Sequence, residues 1–184
     1  MRIVAGSAKG VRLAPVPRGV RPVSDTAREG VFSSVAEHVP GARVLDLYAG
    51  TGAMAIEALS RGAERAVLVE RDRAAVRAIR DNLNRAKVAD RAELVVSDVR
   101  TFVTRDDIST AGFDLILADP PYATELGELE AVLAALGSAG ASEQGLSVVL
   151  TRPKKSSTPV IPVHWLLARR LTYGDTLVLI FREA

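Results

Sequence analysis

From Arg43 onward, short runs of apolar, strand-forming residues alternate with helix-forming stretches, and this alternation leaves the chain few folds to choose from. "RVLDL" reads as a strand, "AMAIEALSR" as a helix ended by Gly62, "RAVLVE" as a strand and "DRAAVRAIRDNLNRA" as a helix. "AELVVSD" and "FDLILAD" are further strands with a helical turn around "VRTFVT" between them, followed by "ELEAVLAALGS" as a helix and "LSVVLT" as a strand. Parallel neighbours need a crossover connection, so this order predicts a mostly parallel sheet with helices on both faces. The end breaks the rhythm: "HWLLARRLTYGDTLVLIFRE" reads as two strands joined by "YGD", which places one antiparallel strand at or near the sheet's edge.

Upstream of Arg43 the pattern differs. "RIVAG" and "VRLAPV" around "SAKG" predict a small β-hairpin, and "PRGVRPVSD" an irregular connection. A helix follows, with Thr26 and Glu29 in capping-box spacing and Val31, Phe32, Val35 and Val39 on one face. We therefore expect residues 1–23 to form a basic extension and residues 24–184 the globular domain, one unit overall. At 184 residues, 48% of them hydrophobic, the chain can bury its own core. It has no cysteine, which excludes disulfides, thiolate metal sites and a thiol nucleophile. "MRIVAGSAKG" lacks the apolar stretch of a signal peptide and no run suits a membrane span, so a soluble, cytoplasmic protein, monomeric and without metal, is expected.

The formal net charge is only +2, but it is unevenly spread. Arg2, Lys9, Arg12, Arg18, Arg21 and Arg28 face a single acid, Asp25, so that the first 28 residues carry +5 and the remainder −3. A second, acid-free stretch from Leu146 to Arg170 carries Arg152, Lys154, Lys155, Arg169 and Arg170. Clustered cations of this kind suit a polyanion; the bland alternative is solvated surface.

In an open parallel sheet, ligands sit beyond the carboxyl ends of the strands. The first end, "VLDLYAGTGAMA", puts Gly50 and Gly52 in a turn into a helix, where backbone amides can approach a ligand closely. The second ends at Glu70, placed to accept the hydroxyls of a ribose. Gly50, Gly52 and Ala55 also satisfy a loose dinucleotide pattern, so a nicotinamide dehydrogenase is a rival. Asp46 opposes it, because an acid four residues before the glycines repels a diphosphate and welcomes a cation. S-adenosylmethionine brings an ammonium, a sulfonium and a ribose. Asp98, with the backbone at Val99, is placed to hydrogen-bond an adenine, although Asp46 and Asp98 could each simply cap the turn that follows.

The fourth end is "DPPY". Here Asp119 and the Pro120 carbonyl can accept hydrogen bonds from an exocyclic amine, whose lone pair is otherwise delocalised into its ring. The prolines fix the turn because their φ is locked and they have no amide hydrogen to satisfy. Tyr122 offers a face for an unstacked base, a contact worth about 1–3 kcal/mol. His38 and His164 are far apart and read as packing or surface, and Trp165 and Met54 as packing.

"VLDLYAGTGAMAIEALSRGA", "VLVERD", "VVSD" and "DPPY" resemble class I S-adenosylmethionine-dependent methyltransferases acting on exocyclic nitrogens. "MRIVAGSAKGVRL", "RPVSDTAREGVF" and "YGDT" resemble the RsmD family, which methylates N2 of guanine 966 in bacterial 16S rRNA, and the resemblance covers essentially the whole chain. It implies a Rossmann-like, seven-stranded fold and an enzyme that transfers one-carbon groups to rRNA within the small ribosomal subunit or an assembly intermediate, leaving S-adenosylhomocysteine. It implies that Asp46, Tyr48, Gly50, Gly52, Glu70, Arg71, Asp98 and Val99 hold the cofactor. Asp119, Pro120 and Tyr122 would grip the guanine. Arg2, Lys9, Arg12, Arg18, Arg21, Arg28, Arg152, Lys154 and Lys155 would meet RNA, with Arg21, Asp25 and Arg28 bordering the cofactor as well. Tyr48 stands where relatives often have phenylalanine. The same turn could serve an adenine-N6 or protein-glutamine methyltransferase, and a non-catalytic RNA-binding protein with a retained cofactor pocket is the rival from another class.

Overall fold

The computed structural model describes residues 1–15, 22–137 and 145–183. In chain order its elements are α1 (Asp25–Ser34), β1 (Arg43–Leu47), α2 (Ala53–Ser60), β2 (Arg65–Glu70), α3 (Arg73–Arg85), β3 (Ala92–Val96), α4 (Val99–Val103), β4 (Leu115–Ala118), α5 (Leu126–Leu136), β5 (Ser147–Pro153), β6 (Trp165–Tyr173) and β7 (Thr176–Glu183), with short 3-10 turns between some of them. The seven strands form one sheet in the order β3-β2-β1-β4-β5-β7-β6. β1 to β5 pair in parallel, and β7 alone runs against its neighbours. The expected architecture is therefore present, with the antiparallel strand inserted one place inside the edge.

The central strands are buried on both faces and feed two apolar layers. Leu115 and Leu117 of β4 pack with Val31, Phe32, Ile56, Leu59 and Ile79, on the side of α1, α2 and α3. Ile116 and Ala118 face the other way, toward Phe102, Leu129, Leu133 and Phe181, on the side of α4 and α5. Successive side chains of a strand point to opposite faces, so a single apolar run supplies both layers. Trp165 lies in the second layer, stacked near Phe181. No helix among the described residues is long and apolar enough to cross a membrane.

The amino-terminal segment forms a narrow hairpin closed by one antiparallel bridge, Arg2 with Arg12, rather than a ladder. Several of its other backbone groups bond to α2. Both oxygens of Glu57 accept from it, Oε2 from the Val4 amide at 2.8 Å and Oε1 from the Ala5 amide at 3.0 Å. Ser60 accepts from the Ser7 amide through its carbonyl and from the Ala8 amide through Oγ, and Oγ donates to the Ala5 carbonyl. Ile3, Ala8 and Leu13 enter the first apolar layer.

Two expectations about α1 change. The helix is capped by Ser24, whose hydroxyl accepts from the Ala27 amide, and not by Thr26; the helix begins at Asp25, so Thr26 already lies inside it. Arg28 is fully buried, whereas a surface role on RNA was expected. Its Nε donates to Glu57 at 3.3 Å and its Nη2 to Asp25 and to the Arg2 carbonyl. Arg18 and Arg21 lie outside the described residues.

Gly6 makes the docking of the segment possible. Its φ is +82°, and a Cβ there would come within 1.8 Å of the Ser60 carbonyl oxygen. Gly6→Ala should therefore lower unfolding stability by about 2–4 kcal/mol, from backbone strain plus forced retreat of the segment. Urea unfolding would measure it, and an unchanged midpoint would mean that the segment docks without this approach.

Candidate active site

The site gathers at the carboxyl ends of β1, β2, β3 and β4, because parallel pairing in register brings those ends to one side. After β1 the chain turns sharply through Tyr48, Gly50 and Gly52, all with positive φ of 59° to 75°. That conformation is open to glycine and costly for tyrosine, so Tyr48 is held there by its surroundings. The Ala49 amide donates to the Val69 carbonyl and the Gly52 amide to the Ala49 carbonyl, which locks the turn against β2.

Asp46, on β1, is buried beneath this turn and accepts from the Ala55 amide in the first turn of α2 at 3.0 Å. Burial pushes its carboxyl up to about 8; the Ala55 amide offsets part of this, and the nearby carboxylates of Asp119 and Glu70 add to it. Glu70 is bound almost entirely by backbone. Its Oε2 accepts from the Gly50 amide and its Oε1 from the Arg71 and Asp72 amides, each at 2.8 Å. A carboxylate offers about four acceptor positions, so one remains for a ligand hydroxyl.

Asp98 caps α4 by accepting from the Arg100 amide at 2.9 Å, and ion-pairs with Arg71 at 2.6 Å and Arg100 at 3.5 Å. Partial burial raises its carboxyl, but the Arg100 amide and the two guanidinium groups outweigh that and hold it below the usual range. The capping reading of this residue is thus realised alongside its position at the third strand end. Val99 is buried next to it, and the Tyr48 hydroxyl is buried without a hydrogen-bond partner among the described residues. Burial lifts that phenol to about 12, with Glu128 and Asp98 adding to the shift, so it stays protonated.

Asp119 follows β4, and its amide reaches back to the Leu47 carbonyl. Its Oδ1 accepts a hydrogen bond from the hydroxyl of Thr151 on β5. Burial raises Asp119 to about 6, and the Thr151 bond works against that rise. Pro120 is buried, Tyr122 is exposed, and the Thr124 amide closes the turn on the Pro121 carbonyl. Arg152, expected as a surface cation, is instead buried: it extends β5, which is covered on both faces, and donates to the Thr124 carbonyl behind the turn. Arg2, Lys9, Arg12, Lys154 and Lys155 are exposed.

The structure thus brings Asp119 and Glu70 close enough to Asp46 to raise its cost of ionisation. Three acids beside a glycine turn fit a ligand that carries positive charge and hydroxyl groups, and fit a diphosphate poorly. Sequence reasoning missed Thr151, Glu57 and Asn82. Asn82, fully buried on α3, accepts from the Ala14 amide and donates to the Thr51 carbonyl of the glycine turn, at 2.6 and 2.9 Å. Glu57 had a readable signal, as the one acid in the apolar helix "AMAIEALS".

The raised Asp46 has a consequence for stability. An aspartate starts from 3.8 and rises here to about 8, so the folded chain holds an extra proton between those values. The stability tied to that proton is whole below about pH 4 and is lost as the pH climbs toward 8. Asp46→Asn keeps an acceptor for the Ala55 amide and cannot ionise. Its melting temperature relative to the parent should rise steadily from pH 5 to pH 8 in calorimetry, and a pH-independent difference would contradict a neutral Asp46.

Comparison with known proteins agrees with this geometry. The family described as Conserved hypothetical protein 95 matches residues 1–182. Ribosomal RNA small subunit methyltransferase D of Escherichia coli (strain K12) is 32% identical, over 100% of this chain and 91% of that protein. YlbH of Bacillus subtilis (strain 168) is 31% identical, over 100% of this chain and 99% of its own. The solved structure of yhhF from Escherichia coli superposes with a TM-score of 0.85 at 31% identity, covering 100% of this chain and 97% of that one. Matched from end to end, with its acids and "DPPY" at the strand ends, the chain belongs to the Conserved hypothetical protein 95 family, the RsmD-type methyltransferases.

Proposed function

We propose that this chain methylates small-subunit rRNA with S-adenosylmethionine as donor, at the exocyclic N2 of a guanine corresponding to guanine 966. The observation that carries the reading is the convergence of Asp46, Glu70 and Asp119 at neighbouring strand ends, beside a turn that contains two prolines. The relative named Ribosomal RNA small subunit methyltransferase D supports the substrate class.

Asp46, the Gly50–Gly52 turn and Glu70 would hold the donor's charged and hydroxyl groups, with Asp98, Val99 and Arg71 bordering its base. When bound, the donor supplies an electrophilic methyl group. The protein's part is to bind and orient the acceptor. Asp119 accepts a hydrogen bond from the amine, the Pro120 carbonyl accepts the second, and the nitrogen is thereby turned toward the pocket. With a carboxyl near 6, Asp119 is ionised at neutral pH and can accept, while remaining too weak a base to deprotonate an aryl amine beforehand. The proton is given up late, once the nitrogen carries its new substituent, and passes to the Asp119 carboxylate or to solvent. Tyr122 stacks on the base, and the exposed Arg2, Lys9, Arg12, Lys154 and Lys155 meet phosphates, a contribution that weakens as salt rises.

Incubation with methyl-labelled donor and small subunits lacking the modification, followed by nucleoside mass analysis, tests the assignment. Label is expected in N2-methylguanosine; label in N6-methyladenosine or in protein would overturn the choice of acceptor. Asp119→Ala should reduce single-turnover transfer by about a hundredfold to several thousandfold, on the order of 3–5 kcal/mol of barrier, while donor binding by calorimetry persists.

A further inference from the structure

We infer that Thr151 is a positioning residue for methyl transfer, fixing through its hydroxyl which oxygen of Asp119 is presented to the acceptor amine. β4 and β5 run in parallel with Ala118 opposite Leu150, so Asp119 and Thr151 are the next residues on the two strands as they leave the paired region. Their side chains meet there, and the Thr151 hydroxyl donates to Oδ1. Thr151 is 1% exposed, so its hydroxyl is held by the packing of the sheet and not turned to solvent. Oδ1 is thereby occupied, and Oδ2 carries no hydrogen bond among the described residues. A carboxylate free to rotate would present either oxygen, in many orientations. One tied through Oδ1 presents the other in a single orientation, which is the alignment that transfer to a poor nucleophile requires.

The hydroxyl also bears on when Asp119 is ionised. A hydrogen bond given to the charged form favours that form, and here it opposes burial. The other charged or titratable groups around the turn are Asp46 of β1, Glu70 of β2, Arg152 next along β5, and Tyr122 within the turn. The hydrogen bond to the Asp119 side chain comes from the Thr151 hydroxyl.

The inference rests on Asp119 being the acceptor of the amine's hydrogen bond, and the experiment separates the two. Thr151→Val keeps the side chain's shape and removes the donor, and Thr151→Ser keeps the donor and removes a methyl group. Thr151→Val should lower single-turnover transfer on modification-deficient subunits by roughly ten- to hundredfold, the value of one charge-assisted hydrogen bond. Donor affinity should stay within about twofold of the parent, since the changed group lies on the acceptor side. The acid limb of its pH–rate profile should move to higher pH, because the carboxylate loses the bond that favours its ionised form. Thr151→Ser should recover most of the rate and the parental profile. If Asp119→Ala is inactive while Thr151→Val matches the parent in rate and profile, Thr151 does not position Asp119. If Thr151→Ser is as slow as Thr151→Val with both folded by calorimetry, packing and not the hydroxyl is responsible, and the inference fails. If Asp119→Ala transfers at the parental rate, the assignment of Asp119 fails and this inference fails with it.

Discussion

One fully buried carboxylate, Glu57, holds the amino-terminal segment, α1 and α2 in a single arrangement. It accepts from two backbone amides of the segment, from Arg28 of α1 at 3.3 Å and from Arg61 at the end of its own helix at 2.8 Å. A charge without water is tolerated only when paired and hydrogen-bonded, and losing one partner of such a pair typically costs about 3–5 kcal/mol. The four donors therefore stand or fall together. Because α2 begins at the glycine turn, whatever fixes α2 also fixes the turn's backbone, and the pocket inherits its rigidity from a charge cluster that is not in it.

At the pocket itself electrostatics work the other way. Asp119 and Glu70 are placed where they make Asp46 harder to ionise, and Glu70 has three amide donors where Asp46 has one. Folding by itself would favour fewer acids here. Their persistence in a site that a hydrophobic packing could have filled is the physical sign that something positively charged belongs among them.

Much of this was legible in the chain because it is written at short range. Strand and helix periods, the Gly50 and Gly52 turn, and an acid or "DPPY" at or near the end of each of four strands are all local patterns. What was not legible depends on partners far away in sequence. Arg28 and Arg152 count as cations in a composition, yet both are buried. Arg28 shares the helical spacing of Val31, Phe32 and Val35, and Asp25 lies three residues before it, so its place on the inner face and one partner could have been read; its buried partner Glu57, 29 residues on, could not. Thr151 closes "SVVLT" as one more strand former, and only the parallel register with β4 gives it Asp119 as a neighbour. The cap on α1 was misplaced by two residues because Ser24, Asp25 and Thr26 are all competent capping types, and tertiary packing decides among them.

The position of β7 has a consequence for the order of events during synthesis. It is the last strand in chain order, yet it lies between β5 and β6, with Thr151 opposite Val178. Until it emerges from the ribosome, β5 has only β4 beside it and β6 has no strand to pair with at all. The turn after β4 must therefore spend translation with one of its supporting strands half-bound. The enzyme acquires a settled site only when nearly the whole chain is made, and the two strand edges waiting for β7 are the surfaces through which a stalled nascent chain would stick to its neighbours.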